Sequence, residues 1–114
     1  MKNITIRPQA TIREAMKMLD LTAEKVLLVV DDGQTLIGTL TDGDIRRHIL
    51  KEQNLTGTIE NAYYKNPIFV FQEDFDVEKV KKVFTQNIIN LIPILDLDRK
   101  VVDYVTWERV FGNN

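Results

Sequence analysis

The densest set of groups able to do chemistry lies in ten consecutive residues, Gly38-Thr39-Leu40-Thr41-Asp42-Gly43-Asp44-Ile45-Arg46-Arg47. Thr41 followed three residues later by Asp44, ahead of a helical apolar pattern, marks a helix start. Amides of a first helical turn lack intrahelical acceptors, and the helix dipole adds to their pull, so such a start favours anions. Gly38 and Gly43 let another backbone or a ligand come close. Arg46 and Arg47, with His48 beside them, add cationic or polar groups. An acid beside an anion site needs a reason. Asp44 accepting hydrogen bonds from ribose hydroxyls, while Thr41 and the amides hold a phosphate, is one such reason. The other is that Thr41 and Asp44 only cap the helix. A cap contributes about 1 kcal/mol, whereas micromolar binding requires about 8 kcal/mol. A ligand at this junction therefore needs a further pocket for its base.

Other chemistry is scarce. The chain has 114 residues, no cysteine and one histidine, so thiolate sites, disulfides and multi-histidine metal clusters are excluded. Fifteen basic against seventeen acidic residues leave a net charge of −2, which gives no general attraction to nucleic acid or anionic membranes. Asp42, Asp44 and His48 crowd one helix start and cannot converge on one substrate atom, so no catalytic residue is assigned. Asp31-Asp32-Gly33 and Asp96-Leu97-Asp98 lack the spacing of a calcium loop and read as hairpin turns. No metal or covalent cofactor is expected. Tyr63-Tyr64 and Trp107 face a partner or cover the core, two readings left open. No apolar run approaches the roughly 18 residues of a membrane span. The opening Met1 to Pro8 lacks the apolar stretch of a secretory signal, so a cytoplasmic setting is expected.

The elements that must position the junction repeat themselves. Shifting the sequence by 65 residues, with no gap, lays Ile12 on Val77, Ala15 on Val80, Leu19 on Phe84, Val29-Val30-Asp31 on Ile94-Leu95-Asp96, and Thr41 on Thr106. Each copy reads as an extended stretch (4–7, 68–71), then a helix (11–20, 76–87). The buried face of the first helix is expected at Ile12, Ala15, Met16 and Leu19, and of the second at Val77, Val80, Val83 and Phe84. Apolar runs 26–30 and 91–95 predict buried strands. A turn leads to partner strands 36–41 and 101–106, and final helices start at Asp42 and Trp107. The result is a β-α-β-β-α pattern in 1–54, a joining stretch 55–67, and a second copy in 68–114. Two half-sized copies are expected to share one core.

This order, with Gly-x-x-Thr-x-x-Asp at the last strand-to-helix junction, resembles a CBS domain. Two in tandem resemble a CBS pair, or Bateman module. Asn66-Pro67-Ile68 opens the second copy as such repeats open, and Leu91-Ile92-Pro93-Ile94-Leu95-Asp96 stands where the family has its apolar-Pro strand. The resemblance covers the whole chain. It implies a mixed α/β (α+β) fold of two repeats related by pseudo-twofold symmetry.

The resemblance also implies a nucleotide, AMP, ADP or ATP, between the repeats. Thr41 and Asp44 would take phosphate and ribose, helped by Gly38, Arg46 and Arg47, with a base cradle near Asn66, Ile68, Asn90, Leu91 and Ile92. The second junction departs from the pattern: Asp103 replaces Gly38, giving up a glycine's backbone freedom, and Arg109 replaces Asp44. An arginine cannot accept from ribose, so at most one nucleotide per chain is expected. The implied role is a regulatory module that associates as a homodimer and controls an attached catalytic domain. The opening residues and the Gly-Thr-Leu-Thr-Asp-Gly-Asp-Ile-Arg-Arg stretch are similar to the CBS pair of some bacterial sugar-phosphate nucleotidyltransferases. The end at Asn114, a few residues into the final helix, fits a fragment whose catalytic domain follows. The rival reading is a scaffold for dimerisation that binds no nucleotide.

Overall fold

A computed structural model describes residues 3–112, which divide into two compact units, 3–67 and 68–112. In the first unit, β1 (Thr5–Ile6) pairs parallel with β2 (Val26–Val30), and β2 pairs antiparallel with β3 (Leu36–Thr41). Between β1 and β2 runs α1 (Ile12–Thr22), and α2 (Asp42–Glu52) follows β3. The second unit repeats this with β4 (Val70–Phe71), α3 (Val77–Gln86), β5 (Leu91–Leu95), β6 (Val101–Thr106) and α4 (Trp107–Phe111). The fold is mixed α and β, with strands and helices in both repeats. Among the described residues no helix is long and apolar enough to cross a membrane.

The 65-residue shift holds for the backbone as well as for the pattern. Val26 pairs with Thr41 as Leu91 pairs with Thr106, and each ladder slips once, at Val29/Val30 and at Ile94/Leu95. The hairpin turns are the same device twice. Asp31 Oδ1 accepts from the amides of Gly33 and Thr35, both at 2.9 Å, and Asp96 Oδ1 accepts from those of Asp98 (2.9 Å) and Lys100 (3.0 Å). Local carboxylate-to-amide bonds of this kind fix a turn without glycine. They hold Gln34 and Arg99 in the left-handed region, at φ 69° and 66°.

Helix starts follow the caps read from the sequence. Thr11 and Glu14 form a reciprocal capping box, and the Asp76 side chain accepts from the amide of Glu78. Ile12, Ala15, Leu19 and Thr22 make the buried stripe of α1, while Val80 and Phe84 anchor α3. Two expected core residues are not in the core. Met16 and Val77 are exposed: the buried stripe of α1 is Ile12, Ala15, Leu19 and Thr22, and that of α3 is Val80 and Phe84. Helix α1 also runs two residues beyond its expected end, to Thr22, and is capped by Ala23 in the left-handed region at φ 62°. A short 3-10 turn, Gln72–Asp74, was not expected.

The stretch 55–67, expected as a joiner, is hydrogen-bonded into the first unit. The Gly57 carbonyl accepts from the Ile12 amide at 2.9 Å, and the Ile59 amide donates to the Ala10 carbonyl at 2.9 Å. Tyr64 exchanges both backbone bonds with Thr39, at 2.8 and 3.0 Å, along the outer edge of β3. Ile59 is fully buried.

Candidate functional site

At the end of β3 the chain turns into α2 through a complete capping box. Thr41 Oγ accepts from the Asp44 amide at 3.1 Å, and Asp44 Oδ2 accepts from the Thr41 amide at 2.9 Å. The other carboxylate oxygen, Oδ1, accepts from Arg47 Nη2 at 2.8 Å. Both oxygens of Asp44 are therefore engaged, and the carboxylate is mostly covered. The capping reading of Thr41 and Asp44 is realised in this geometry. Each oxygen keeps a second lone pair, and Arg47 is an exposed partner, so Oδ1 is the atom that a sugar hydroxyl could share.

Gly38 has no positive φ. Its backbone freedom is not what the position uses. A Cβ there would stand 2.3 Å from Cδ2 of Tyr63 and 2.4 Å from the Tyr64 carbonyl oxygen. The close approach that the glycine permits is made by the chain's own 63–64 segment. This corrects the reason given for the second junction: Asp103 is compatible with an ordinary strand conformation, and its Oδ1 accepts from the Tyr104 amide at 2.8 Å. Gly43 lies on the first turn of α2, where an added Cβ would meet only the flexible ends of Arg47 (3.3 Å) and Arg46 (3.7 Å).

Arg46 and Arg47 take different directions. Arg46 Nη1 lies 3.6 Å from Asp42 Oδ2, an exposed pair of the kind that contributes little. Arg47 joins Asp44, His48 and Lys51 along a cleft of about 160 Å³, whose other wall is Asn61 and Ala62. His48 is half-buried there. Lys51, Asn61 and Ala62 were not singled out from the sequence. The signal available was the spacing of 44, 47, 48 and 51, which puts four polar side chains on one helical face.

The residues expected to cradle a base belong to the second unit. Ile68 and Asn90 are exposed, and the Asn90 carbonyl accepts from the Trp107 amide at 2.9 Å. Leu91 and Ile92 are buried, and Ile92 packs in a core cluster with Val80, Phe84, Ile94 and Val105. Any ligand contact from Ile92 would have to come through its backbone.

The second junction is built differently on the same frame. Thr106 Oγ accepts from the Arg109 amide at 3.2 Å, but Arg109 has no acceptor to return the bond. Trp107, at the position of Asp42, packs edge-on to Phe84 with ring centres 5.8 Å apart, and lies 4.4 Å from Phe111. The groove beside it, about 460 Å³, is lined by Phe84, Ile88, Ile89 and Trp107 among others. The corresponding groove of the first unit, about 640 Å³, has Leu19, Asp20, Lys25 and Asp42 where the second has Phe84, Thr85, Asn90 and Trp107. Among the described residues the second groove has two aromatic rings and no charged residue, whereas its counterpart has no aromatic ring and several charged ones.

Comparison with known proteins agrees with the repeat. The CBS-domain family profile matches residues 1–51. L-aspartate semialdehyde sulfurtransferase of Methanocaldococcus jannaschii is 31% identical over 112 residues, covering 96% of this chain and 21% of that protein. The chain spans about a fifth of the length of the curated relatives it matches. Among solved structures, the CBS domain pair of protein MJ0100, in complex with 5'-methylthioadenosine and S-adenosyl-L-methionine, is 30% identical with a TM-score of 0.82, over 96% of this chain and 86% of that one. CBSX2 of Arabidopsis thaliana, solved in complex with AMP, shares the fold at 20% identity and a TM-score of 0.80, over 93% of this chain and 82% of that one. With its two β-α-β-β-α repeats in register and a relative matched over nearly its full length, this chain belongs to the CBS-domain family and is a CBS domain pair.

Proposed function

We propose that this CBS pair is a regulatory module that binds an adenosine nucleotide at the Thr41–Asp44 junction. The observation that carries the reading is the Asp44 carboxylate, with one oxygen committed to the cap and the other held only by an exposed arginine. A sugar hydroxyl can replace or share that arginine without undoing the helix start. The adenosine ligands of the MJ0100 pair, at 30% identity, support the choice of ligand class. The base side of the site is proposed at Ile68 and Asn90, with Leu91 and Ile92 contributing backbone only. Arg109, in place of a second Asp44, leaves one nucleotide per chain.

The module is proposed to act as a homodimer in the cytoplasm and to control an attached catalytic domain, since a ligand that binds one arrangement better shifts the population toward it. The matched enzyme relatives carry different chemistries and do not choose that domain. A sugar-phosphate nucleotidyltransferase is proposed on the residues of the 38–47 stretch and the opening segment alone.

Titration calorimetry with AMP, ADP, ATP, 5'-methylthioadenosine and S-adenosyl-L-methionine tests the binding. One site per chain is expected, in the micromolar range. Asp44→Asn keeps an oxygen for the cap but swaps the acceptor now held by Arg47 for an NH2 group, and should weaken binding at least about tenfold. Its thermal unfolding, followed by circular dichroism, should stay close to that of the parent. Absence of heat with every compound supports the dimerisation scaffold instead.

A further inference from the structure

We propose that the outer face of α3 and α4 is the surface on which two copies of this chain meet, second unit to second unit. The inference rests on the homodimer reading and adds which surface forms the contact.

The face is built from one row of α3 and one side of α4. Val77, Lys81, Thr85 and Ile88 recur at helical spacing, so they follow one side of α3 and the turn after it. Lys81 lies over the Phe111 ring, 5.9 Å from its centre, which sets this side of α3 against α4. Trp107 packs on buried Phe84 and on Phe111, yet remains 40% exposed. It covers the core with one part and faces outward with the other. Ile88 is fully exposed at the rim of the groove of about 460 Å³ that Phe84, Thr85 and Trp107 help to line.

The fold does not require these side chains. At the equivalent positions of the first repeat stand Ala23 for Ile88, Asp42 for Trp107 and Arg46 for Phe111, all three exposed. Aromatic and branched apolar groups, on a surface that the same frame builds from alanine, aspartate and arginine, point to a partner.

Two observations choose a second copy. The patch holds both parts of a fit, a projecting isoleucine and, beside it, a groove with no charged lining residue among the described ones. A twofold axis through such a patch sets each Ile88 against the other copy's groove, and twofold pairs are the commonest assembly. Charge then chooses the orientation. The equivalent first-unit groove is lined by Arg13, Lys17, Asp20, Lys25 and Asp42. An apolar second unit docked there would strip water from those charges and supply no partners. Second unit on second unit sets apolar surface against apolar surface, and Lys81 at its rim already has Glu78 at 3.7 Å.

Sedimentation velocity on the intact chain over a range of concentrations tests this, read together with the emission of Trp107, the chain's one tryptophan. A reversible dimer is expected, with the emission moving to shorter wavelength as it forms. Ile88→Asp brings a charge to the partner's groove and should raise the dimer dissociation constant at least about tenfold. Its thermal unfolding, at a concentration where parent and variant are both monomeric, should match that of the parent. Ile88→Ala, which copies the first repeat, should weaken the dimer in the same direction and by less. Lys17→Glu, in the first-unit groove, should leave the constant within about twofold. A dimer that Ile88→Asp leaves unchanged overturns this surface and keeps the homodimer reading. A monomer at every concentration overturns both. If the emission of that monomer shifts on adding phosphatidylcholine vesicles, the face belongs to a lipid surface instead.

Discussion

The two strand-to-helix junctions, 38–47 and 103–112, share a backbone and differ in what it carries. Both place a threonine at the helix start, and both threonines accept from the amide three residues on. In the first junction an aspartate returns the bond with one oxygen and accepts from Arg47 with the other. In the second an arginine stands there, a tryptophan opens the helix, and the neighbouring surface turns aromatic. A strand, a turn and a cap are enough to make the frame, so the frame survives large changes at the positions between. The two ten-residue stretches differ at nine positions and share only the threonine, and those differences separate a candidate sugar-phosphate grip from an apolar surface.

Exchanging residues between the junctions is the strongest way to break this comparison. Gly38→Asp copies the second junction into the first, but a Cβ there meets Tyr63 and Tyr64. Forced contacts of this kind cost about 2 kcal/mol or more. Asp103→Ala loses one local bond to the Tyr104 amide and should cost about 0.5–1 kcal/mol. Urea midpoints for the two variants measure the contrast. Similar shifts would mean that the 63–64 segment yields, and that the junctions are more alike than their packing indicates.

A smaller difference is expected at the caps. Thr41→Ala breaks a reciprocal box and should cost about 1–2 kcal/mol, against about 0.5–1 kcal/mol for Thr106→Ala, whose bond is one-sided. Equal losses in thermal unfolding would show that the Asp44 return bond adds nothing to the fold, which would make Asp44 harder to explain without a ligand.

The smallest effect concerns the ends of α1 and α3. Ala23 sits at φ 62°, where glycine is unstrained, so Ala23→Gly should stabilise by about 0.5–1 kcal/mol. Asn87 ends α3 in an extended conformation at φ −136°, and its side chain donates to the Val83 carbonyl at 2.8 Å. Asn87→Gly should therefore destabilise, by about 1 kcal/mol. Opposite signs in paired melting curves sharpen the comparison, and equal signs break it.

What was legible in the sequence was what depends on near neighbours. The bounds of β2, β3, β5 and β6 follow from short apolar runs that meet at aspartate turns, with β3 and β6 closed at their far ends by threonine caps. These signals lie within a few residues of what they control. Met16 and Val77 satisfy the helical spacing yet are exposed, and Ile12, which holds Val77's place in the first repeat, is fully buried, so spacing alone does not tell the two apart. The reason for Gly38 was out of reach, since the crowding atoms lie some 25 residues away at Tyr63 and Tyr64. Likewise the row from Asp44 to Lys51 is visible as spacing, but its opposite wall, Asn61 and Ala62, comes from a polar stretch that reads as a connector.

That stretch sets where the module can be cut. Ile59 fills the first unit's interior, Gly57 accepts from the amide that begins α1, and Tyr64 closes the free edge of β3. A swap of repeats between proteins, or an insertion meant to separate them, must therefore place its joint beyond Pro67. A joint at Asn54, where the β-α-β-β-α pattern finishes, would leave a hole at Ile59 and a bare strand edge of the kind that invites pairing with other chains.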